Sequence, residues 1–288
     1  MNNVIDNQTR VIIHGVRCDA GIRIVKDYLN KGINLIGGVE AGSGGGWALQ
    51  GHIPIFDTLQ TAVDALSPEA VIIAVPSHHA YAAILDSIRL ELKSIICLTG
   101  DIPAYDLTRI RLLINTHEVE FLGPNSFGMF SPGKIALSSF SWPRIQKGQI
   151  GIISRSKNLA YEAAYLVTEN GLGISTAIGL GEGCDLGISL LEVLQRFDQD
   201  PETNHVVLLE NAKYGIDKEA ITFISQTLSK PIICYVPKIE NPINDSDSFM
   251  GMKEQSLFLQ NRLKLESIQD ASIPLANNLI DIVDFLKK

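Results

Sequence analysis

Val11-Ile-Ile-His14 runs directly into Gly15-Val-Arg-Cys-Asp-Ala-Gly21 and then into a helix-forming segment. The unbroken apolar run predicts a strand buried on both faces, as a parallel sheet requires. A glycine turn between such a strand and a helix start predicts a βα unit. There the helix N-terminus offers free N–H groups and the positive end of its dipole to an anion. The dinucleotide fingerprint needs glycine at the third position of this turn so that a pyrophosphate can approach. Arg17 stands there, so the G-x-G-x-x-G pattern fails and a nicotinamide-dependent oxidoreductase is the weakest reading. An ordinary βα turn without a ligand stays open on this loop alone.

The same unit recurs outward from this stretch. Further buried strands are expected at 34–37, 71–75, 94–98 and 119–122, and then at 149–154, 175–180, 205–210 and 231–236. Helix-length segments lie between them at 21–31, 79–92, 105–116, 158–170 and 217–229. Strand–helix alternation of this kind predicts an α/β fold with parallel sheets and right-handed crossovers. The stretch 131–147 holds Pro132 and Pro143 and shows no period, which predicts a domain boundary near 145. At the end of the chain, 273–288 is expected to be one docking helix with Leu275, Leu279, Ile282, Val283 and Leu286 on a single face.

Composition narrows the function. With 45% hydrophobic and 19% charged residues, the chain reads as globular and long enough for two domains. A net charge of −8 argues against a nucleic-acid partner, which needs clustered Lys and Arg. No apolar run reaches the ~18 residues of a membrane span, and the first residues lack a basic region followed by an apolar one. A cytoplasmic protein without a membrane role is expected. Cys18, Cys97, Cys184 and Cys234 are too scattered for a zinc site or a disulfide framework, and Cys97 and Cys234 sit in apolar runs as buried thiols.

A second glycine cluster, Gly37-Gly38 and Gly42-Ser-Gly-Gly-Gly46, costs conformational entropy that backbone approach to a ligand would explain. These features combine with Val75-Pro76, Ile102-Pro103, Gly123-Pro-Asn125, Pro132-Gly133, Ser154-Arg-Ser156 and Tyr161-Glu162. Together they resemble the α subunit of succinyl-CoA synthetase and its acid–CoA ligase relatives over nearly the whole chain. The resemblance implies a Rossmann-like CoA-binding domain over 1–145 and a flavodoxin-like ligase domain over 146–288. It implies CoA as ligand and a carboxylic acid as substrate. Nothing in the chain resembles an ATP-grasp domain, so ATP would enter through a β-type partner subunit.

Residue by residue, the resemblance assigns the CoA phosphates to Gly15, Arg17, Cys18, Asp19 and Gly21, with Arg17 as counter-charge. The adenosine end falls to Gly38, Val39, Gly42 and Ser43. Pro76, Ser77 and Asn125 line the thiol channel, Thr99 is among the CoA-binding residues, and Ser154 and Ser156 hold an anion at the second domain's helix. Three departures stand out. Asp19 replaces an amide beside the diphosphate, Ser43 replaces a lysine, and Lys157-Asn158 replace a glycine–threonine pair. The family's phosphorylated histidine should follow strand 231–236, yet the last histidine in the chain is His205. Glu210 matches the glutamate that orients that histidine; with no imidazole to hold, it is expected to be an ordinary polar residue at a strand end. His78-His79 open a helix near the channel, and neighbouring residues on a helix do not share a face, so a two-histidine metal site is not expected. Asp245 and Asp247 read as a solvated acidic loop. The functional expectation is a diverged ligase subunit that works without a phosphohistidine relay, with a non-catalytic CoA-binding or regulatory protein as the alternative.

Overall fold

The computed structural model describes residues 5, 6, 8–30, 33–48, 51–181, 186–211, 217–239 and 249–288, with the side chains of 19, 20, 29, 30 and 249–254 outside the description. Two compact units result. One holds the chain through Pro143 together with Ile178–Ser189; the other holds Arg144–Ala177 and Leu190–Lys288.

In the first unit the elements are β1 (Val11–His14), α1 (Asp19–Asn30), β2 (Leu35–Val39), β3 (Trp47–Ala48), β4 (Ile53–Phe56), α2 (Leu59–Leu66), β5 (Ala70–Ile73), α3 (Ser77–Arg89), β6 (Ser94–Cys97), α4 (Ala104–Thr116), β7 (Glu120–Leu122), β8 (Gly128–Ser131) and β9 (Ile135–Ser138). The sheet runs β3-β4-β2-β1-β5-β6-β7. All neighbours pair parallel except β3, which joins β4 antiparallel at the edge. Counting only the parallel strands, this is the Rossmann order 3-2-1-4-5-6, whose topological switch point lies between β1 and β5. β1, β5 and β6 are almost wholly buried because helices cover both faces, and Ile12, Ile73, Ile84, Ile95, Ile110 and Phe121 form the core on one of them.

The second unit contains β10 (Lys147–Ser154), α5 (Lys157–Glu169), β11 (Ile174–Gly179), α6 (Leu190–Gln199), β12 (His205–Leu209), α7 (Lys218–Gln226), β13 (Ile232–Tyr235), α8 (Phe249–Asp270), β14 (Leu275–Ala276) and α9 (Leu279–Leu286). Its strands lie in the order β14-β13-β12-β10-β11, with β10, β12, β13 and β14 parallel. That is the flavodoxin-like order read from the other side, with its switch point between β10 and β12. Polar side chains start the helices where chain direction must change: Ser156 accepts from Leu159 N–H, and Asn278 accepts from Ile280 and Asp281 N–H.

Two expectations are corrected. The aperiodic stretch after Ser131 contains β9, which pairs antiparallel with β8 through a turn at Gly133, whose φ of +76° suits glycine. The C-terminal segment is not one helix. Pro274 favours extended chain, Leu275 and Ala276 pair with β13, and Asn278 then caps the shorter α9, so Leu275 leaves the helical face.

Packing at the first turn is tight enough to test. A Cβ at Gly21 would lie 2.0 Å from the carbonyl oxygen of Gly15. Gly21→Ala should cost about 1–3 kcal/mol through forced backbone movement. A urea midpoint equal to wild type would show that α1 tolerates displacement.

Candidate functional site

Every residue assigned to the first ligand loops stands at the carboxyl ends of the parallel strands, where open α/β sheets bind ligands. Gly15 follows β1 with φ +94°, and a Cβ there would lie 2.8 Å from Ala74 O and 2.9 Å from Val75 N. The turn after β1 therefore lies flat against the end of β5. Gly38 makes room for Val16, whose Cβ would be 2.8 Å from a Cβ built at Gly38.

The backbone N–H groups of this turn are largely taken internally. Gly15 N–H donates to Val39 O at 3.0 Å, and Cys18 N–H donates to Gly15 O at 3.1 Å. Arg17 N–H donates to the Glu40 carboxylate at 3.1 Å. The expected anion cradle is thus part-filled by a carboxylate that sequence reasoning missed, and the exposed Arg17 side chain is the cation left beside it. Cys18 is half-buried, and Asp19 opens α1 with its side chain outside the description.

Next to the turn, the second glycine loop is pinned from one side. Gly44 N–H donates to Asp57 Oδ1 at 2.8 Å, while Ser43 O accepts from Gly46 N–H at 3.2 Å. Gly42 (φ +74°) and Gly45 (φ +76°) have nothing within 4 Å of a built Cβ. The space beside both is open, although Gly45 N–H donates to Ile55 O at 3.0 Å. Arg17, Val16, Ile22, Val25, Trp47 and Ala48 line a cavity of about 420 Å³ beside this loop.

On the other side of the switch point, Pro76 is exposed and precedes α3 without a side-chain cap, its carbonyl accepting from His79 N–H at 2.9 Å. Thr99, expected among the CoA-binding residues, is buried, and its hydroxyl donates to Val75 O at 2.7 Å. Its carbonyl accepts from Asn125 N–H at 2.9 Å, and Asn125 itself is exposed with φ +51°. Thr99 thus holds the Val75 and Asn125 turns in place. His78 and His79 are exposed on the first turn of α3 with ring centroids 4.1 Å apart.

His14, at the end of β1, has an Nδ1 that is buried without a hydrogen-bond partner. Desolvation lowers its pKa; Asp86 and Glu40 oppose that effect, and His79 adds to it. Among the described residues, no group of three or more His, Cys, Asp or Glu side chains is placed to hold a metal. None of their helices is long and apolar enough to cross a membrane.

In the second unit, Ser154-Arg155-Ser156 follows β10 and Glu210 follows β12, so the two segments flank that sheet's switch point. Ser154 Oγ accepts from Ser156 N–H at 3.0 Å and donates to Ser156 O at 2.9 Å, while Ser156 Oγ caps α5. Both hydroxyls expected to hold an anion are committed to the turn itself.

Glu210 departs furthest from expectation. It is fully buried, with Arg155 Nε 3.5 Å from Oε1 and Lys264 Nζ 3.1 Å from Oε2. Lys264 reaches in from α8 and also donates to Asn211 O. Burial lowers the lysine's pKa, and Glu210 pulls it back up. Burial and Glu210 together raise the Cys234 thiol, and burial alone pushes Cys97 up to about 12. No sequence pattern ties Lys264 to Glu210, because 54 positions separate them. The acidic loop with Asp245 and Asp247 lies outside the described residues.

Two family models cover most of this architecture: one described as a CoA binding domain matches residues 6–100, and one described as a succinyl-CoA ligase like flavodoxin domain matches residues 147–239. The malate–CoA ligase subunit alpha of Methylorubrum extorquens is 34% identical over 84% of this chain and 82% of its own length. The chain belongs to the succinyl-CoA synthetase α-subunit family of acid–CoA ligases. A succinate–CoA ligase [ADP-forming] subunit alpha of Archaeoglobus fulgidus is 30% identical over 99% of this chain and 97% of its own. The fold also matches an ATP citrate lyase of Methanothrix soehngenii solved with citrate and coenzyme A, with a TM-score of 0.77 at 16% identity. That match covers 99% of this α-type chain, which spans 51% of the lyase chain.

Two measurements probe these sites. Glu210→Gln leaves two buried cations without their carboxylate and should destabilise the protein by about 3–5 kcal/mol, whereas Lys264→Met keeps the Arg155–Glu210 pair and should cost less. Equal costs in chemical denaturation would contradict this ranking. The second concerns acid. His14 titrates lower in the folded chain than when unfolded, so below about pH 6.5 the unfolded state binds more protons and stability falls. The loss runs from that pH down to the lowered folded value, and it should be smaller in His14→Gln. Parallel curves for the two proteins would remove His14 from the acid response.

Proposed function

We propose that this chain is the CoA-binding subunit of an acid–CoA ligase, with residues 1–145 as the CoA domain and 146–288 as the ligase domain. A separate ATP-grasp subunit would bind ATP and convert a carboxylic acid to its acyl phosphate, releasing ADP. The CoA thiol then attacks the acyl carbon and phosphate leaves. The observation that carries this reading is the Gly15 turn, laid against the end of β5 at the Rossmann switch point within the segment that matches a CoA-binding model. The names of its relatives, malate– and succinate–CoA ligase subunits alpha, support the reaction class.

CoA fits the residues present. Arg17 would face its phosphates, the open turn at Gly42 would admit its nucleotide end, and Pro76, Ser77 and Asn125 would flank the chain leading to the thiol. By the family resemblance Asp19 falls beside the phosphates, and a carboxylate ~5 Å from one at an effective dielectric of ~20 would cost roughly 3 kcal/mol before screening. Glu40 competes for the same turn through Arg17 N–H. Phosphoryl relay is assigned to no residue of this chain, since no histidine follows His205. Cys97 and Cys234, buried and unpaired in disulfides, suit a cytoplasmic enzyme.

Calorimetric titration with CoA, with 3′-dephospho-CoA and NAD as comparators, tests the ligand. CoA should bind more tightly than either. Arg17→Ala should weaken CoA binding about tenfold through the lost charge-assisted contact, and Glu40→Gln should strengthen it. An Arg17→Ala affinity equal to wild type would remove that residue from the site. Incubation with labelled ATP and the cognate ATP-grasp subunit should leave no acid-labile phosphate on this chain. A stable phosphohistidine would overturn the direct route. Binding of CoA without any ligation on addition of acid and partner would favour the regulatory reading.

A further inference from the structure

Trp47 has an environment that the established family features do not explain. It lies on the two-residue edge strand β3, opposite Pro54, and 59% of it is exposed. The other tryptophan, Trp142, is buried against Phe130, Phe127 and Phe140. A large exposed indole on so short an edge contributes little to folding, and Trp47 stands beside a concavity whose other walls are mostly apolar. Here the concavity is the cavity of about 420 Å³ that Trp47 and Ala48 line from the hairpin side. Val16, Ile22 and Val25 line it from α1 and the turn before it, and Ile22 is itself 48% exposed.

The polar content of the cavity is concentrated in one group. Arg17 lines it, and its guanidinium lies against the glycine loop, 3.4 Å from where a Cβ on Gly46 would stand. A larger residue at 46 would press on that guanidinium. The site thus offers an indole and aliphatic walls to a flat apolar group, with one cation at the border that faces the glycine turn. That combination suits a nucleobase joined to phosphate. The volume is near the small end of the ~300–1,000 Å³ range of ligand pockets, which admits a nucleoside but not an entire CoA.

We propose that Trp47 is the base-stacking residue of this subunit and that the cavity it forms with Val16, Arg17, Ile22 and Val25 takes the adenine ring of CoA. The proposal rests on the CoA reading above and deepens it. Ser43, the neighbouring polar side chain of the glycine loop, carries no charge to attract a phosphate, and Glu40 brings negative charge to the same region. Stacking on an indole is indifferent to that charge. Affinity for the nucleotide end therefore resides in Trp47 more than in ionic contacts.

The test compares wild type, Trp47→Leu and Trp47→Phe, each titrated calorimetrically with CoA and with adenosine 3′,5′-bisphosphate. Loss of a base stack should weaken both ligands about tenfold in Trp47→Leu, whereas Trp47→Phe, which keeps a ring, should stay within about threefold of wild type. Tryptophan fluorescence should be quenched by either ligand in wild type and be insensitive to both in Trp47→Leu, because Trp142 is buried. Both substitutions lie on an exposed edge, and a thermal melt matching wild type establishes that the variants are folded. CoA binding that is equal in wild type and Trp47→Leu would overturn the stacking role and leave the CoA reading standing. Absence of CoA binding to wild type would overturn the CoA reading and this proposal with it.

Discussion

The absence of a side chain at Gly15 sets the geometry of the first unit. With φ at +94° and the end of β5 less than 3 Å from any Cβ it could carry, this position lets the turn after β1 close onto Ala74 and Val75. Gly21, set against the Gly15 carbonyl, brings α1 down onto the same turn. The crevice between β1 and β5, which the strand order creates, is therefore bordered by backbone. Arg17, Glu40, the open glycine loop and Trp47 are arranged around that edge. Shifting the turn outward would separate all of them at once.

The second unit places its resources differently at the equivalent point. Its switch point holds a carboxylate between two cations, out of water. Charges so placed carry a desolvation cost that their attraction offsets only when the geometry is good. What they contribute is definition: Arg155 ties the turn after β10 to the end of β12, and Lys264 ties α8 to both Glu210 and Asn211. Asn261, one turn earlier on α8, fixes Pro237 and Ile239 through its amide. The carboxyl ends of β12 and β13 are thereby anchored to a helix that the β-strand pattern alone would leave unplaced.

Much of this was legible from the sequence, for identifiable reasons. Strands such as 11–14 and 94–97 are uninterrupted apolar runs because both faces are covered, and their period needs no partner to be read. The short β3, β4, β8, β9 and β14 escaped because none is an uninterrupted Val- and Ile-rich run, and only their pairing defines them. Leu275 misled because a helical face and a strand are indistinguishable over two residues when a cap at Asn278 follows. In the sites, glycines announced the loops, since their conformational cost demands a reason. Glu40, Asp57 and Lys264 gave no such signal. Each acts on a residue distant in sequence, and a carboxylate bonded to a backbone N–H looks the same in sequence as one bonded to water.

The contrast between the two switch points bears on what chemistry this chain can contribute. A relay residue must present itself to a donor and then to an acceptor, so its partners must release it within each turnover. Glu210 Oε2 is held by Lys264, and Oε1 is buried without a hydrogen bond, 3.5 Å from Arg155 Nε. Moving the carboxylate away from Lys264 would leave a buried cation without its partner, which the interior tolerates poorly. The first switch point carries no such lock. Gly42 is open, the Arg17 side chain is exposed, and Glu40 is held through one backbone N–H that a stronger anion can take. Ligand exchange at the first unit needs only that carboxylate to give way, whereas movement of Glu210 in the second disturbs the pairing of Lys264.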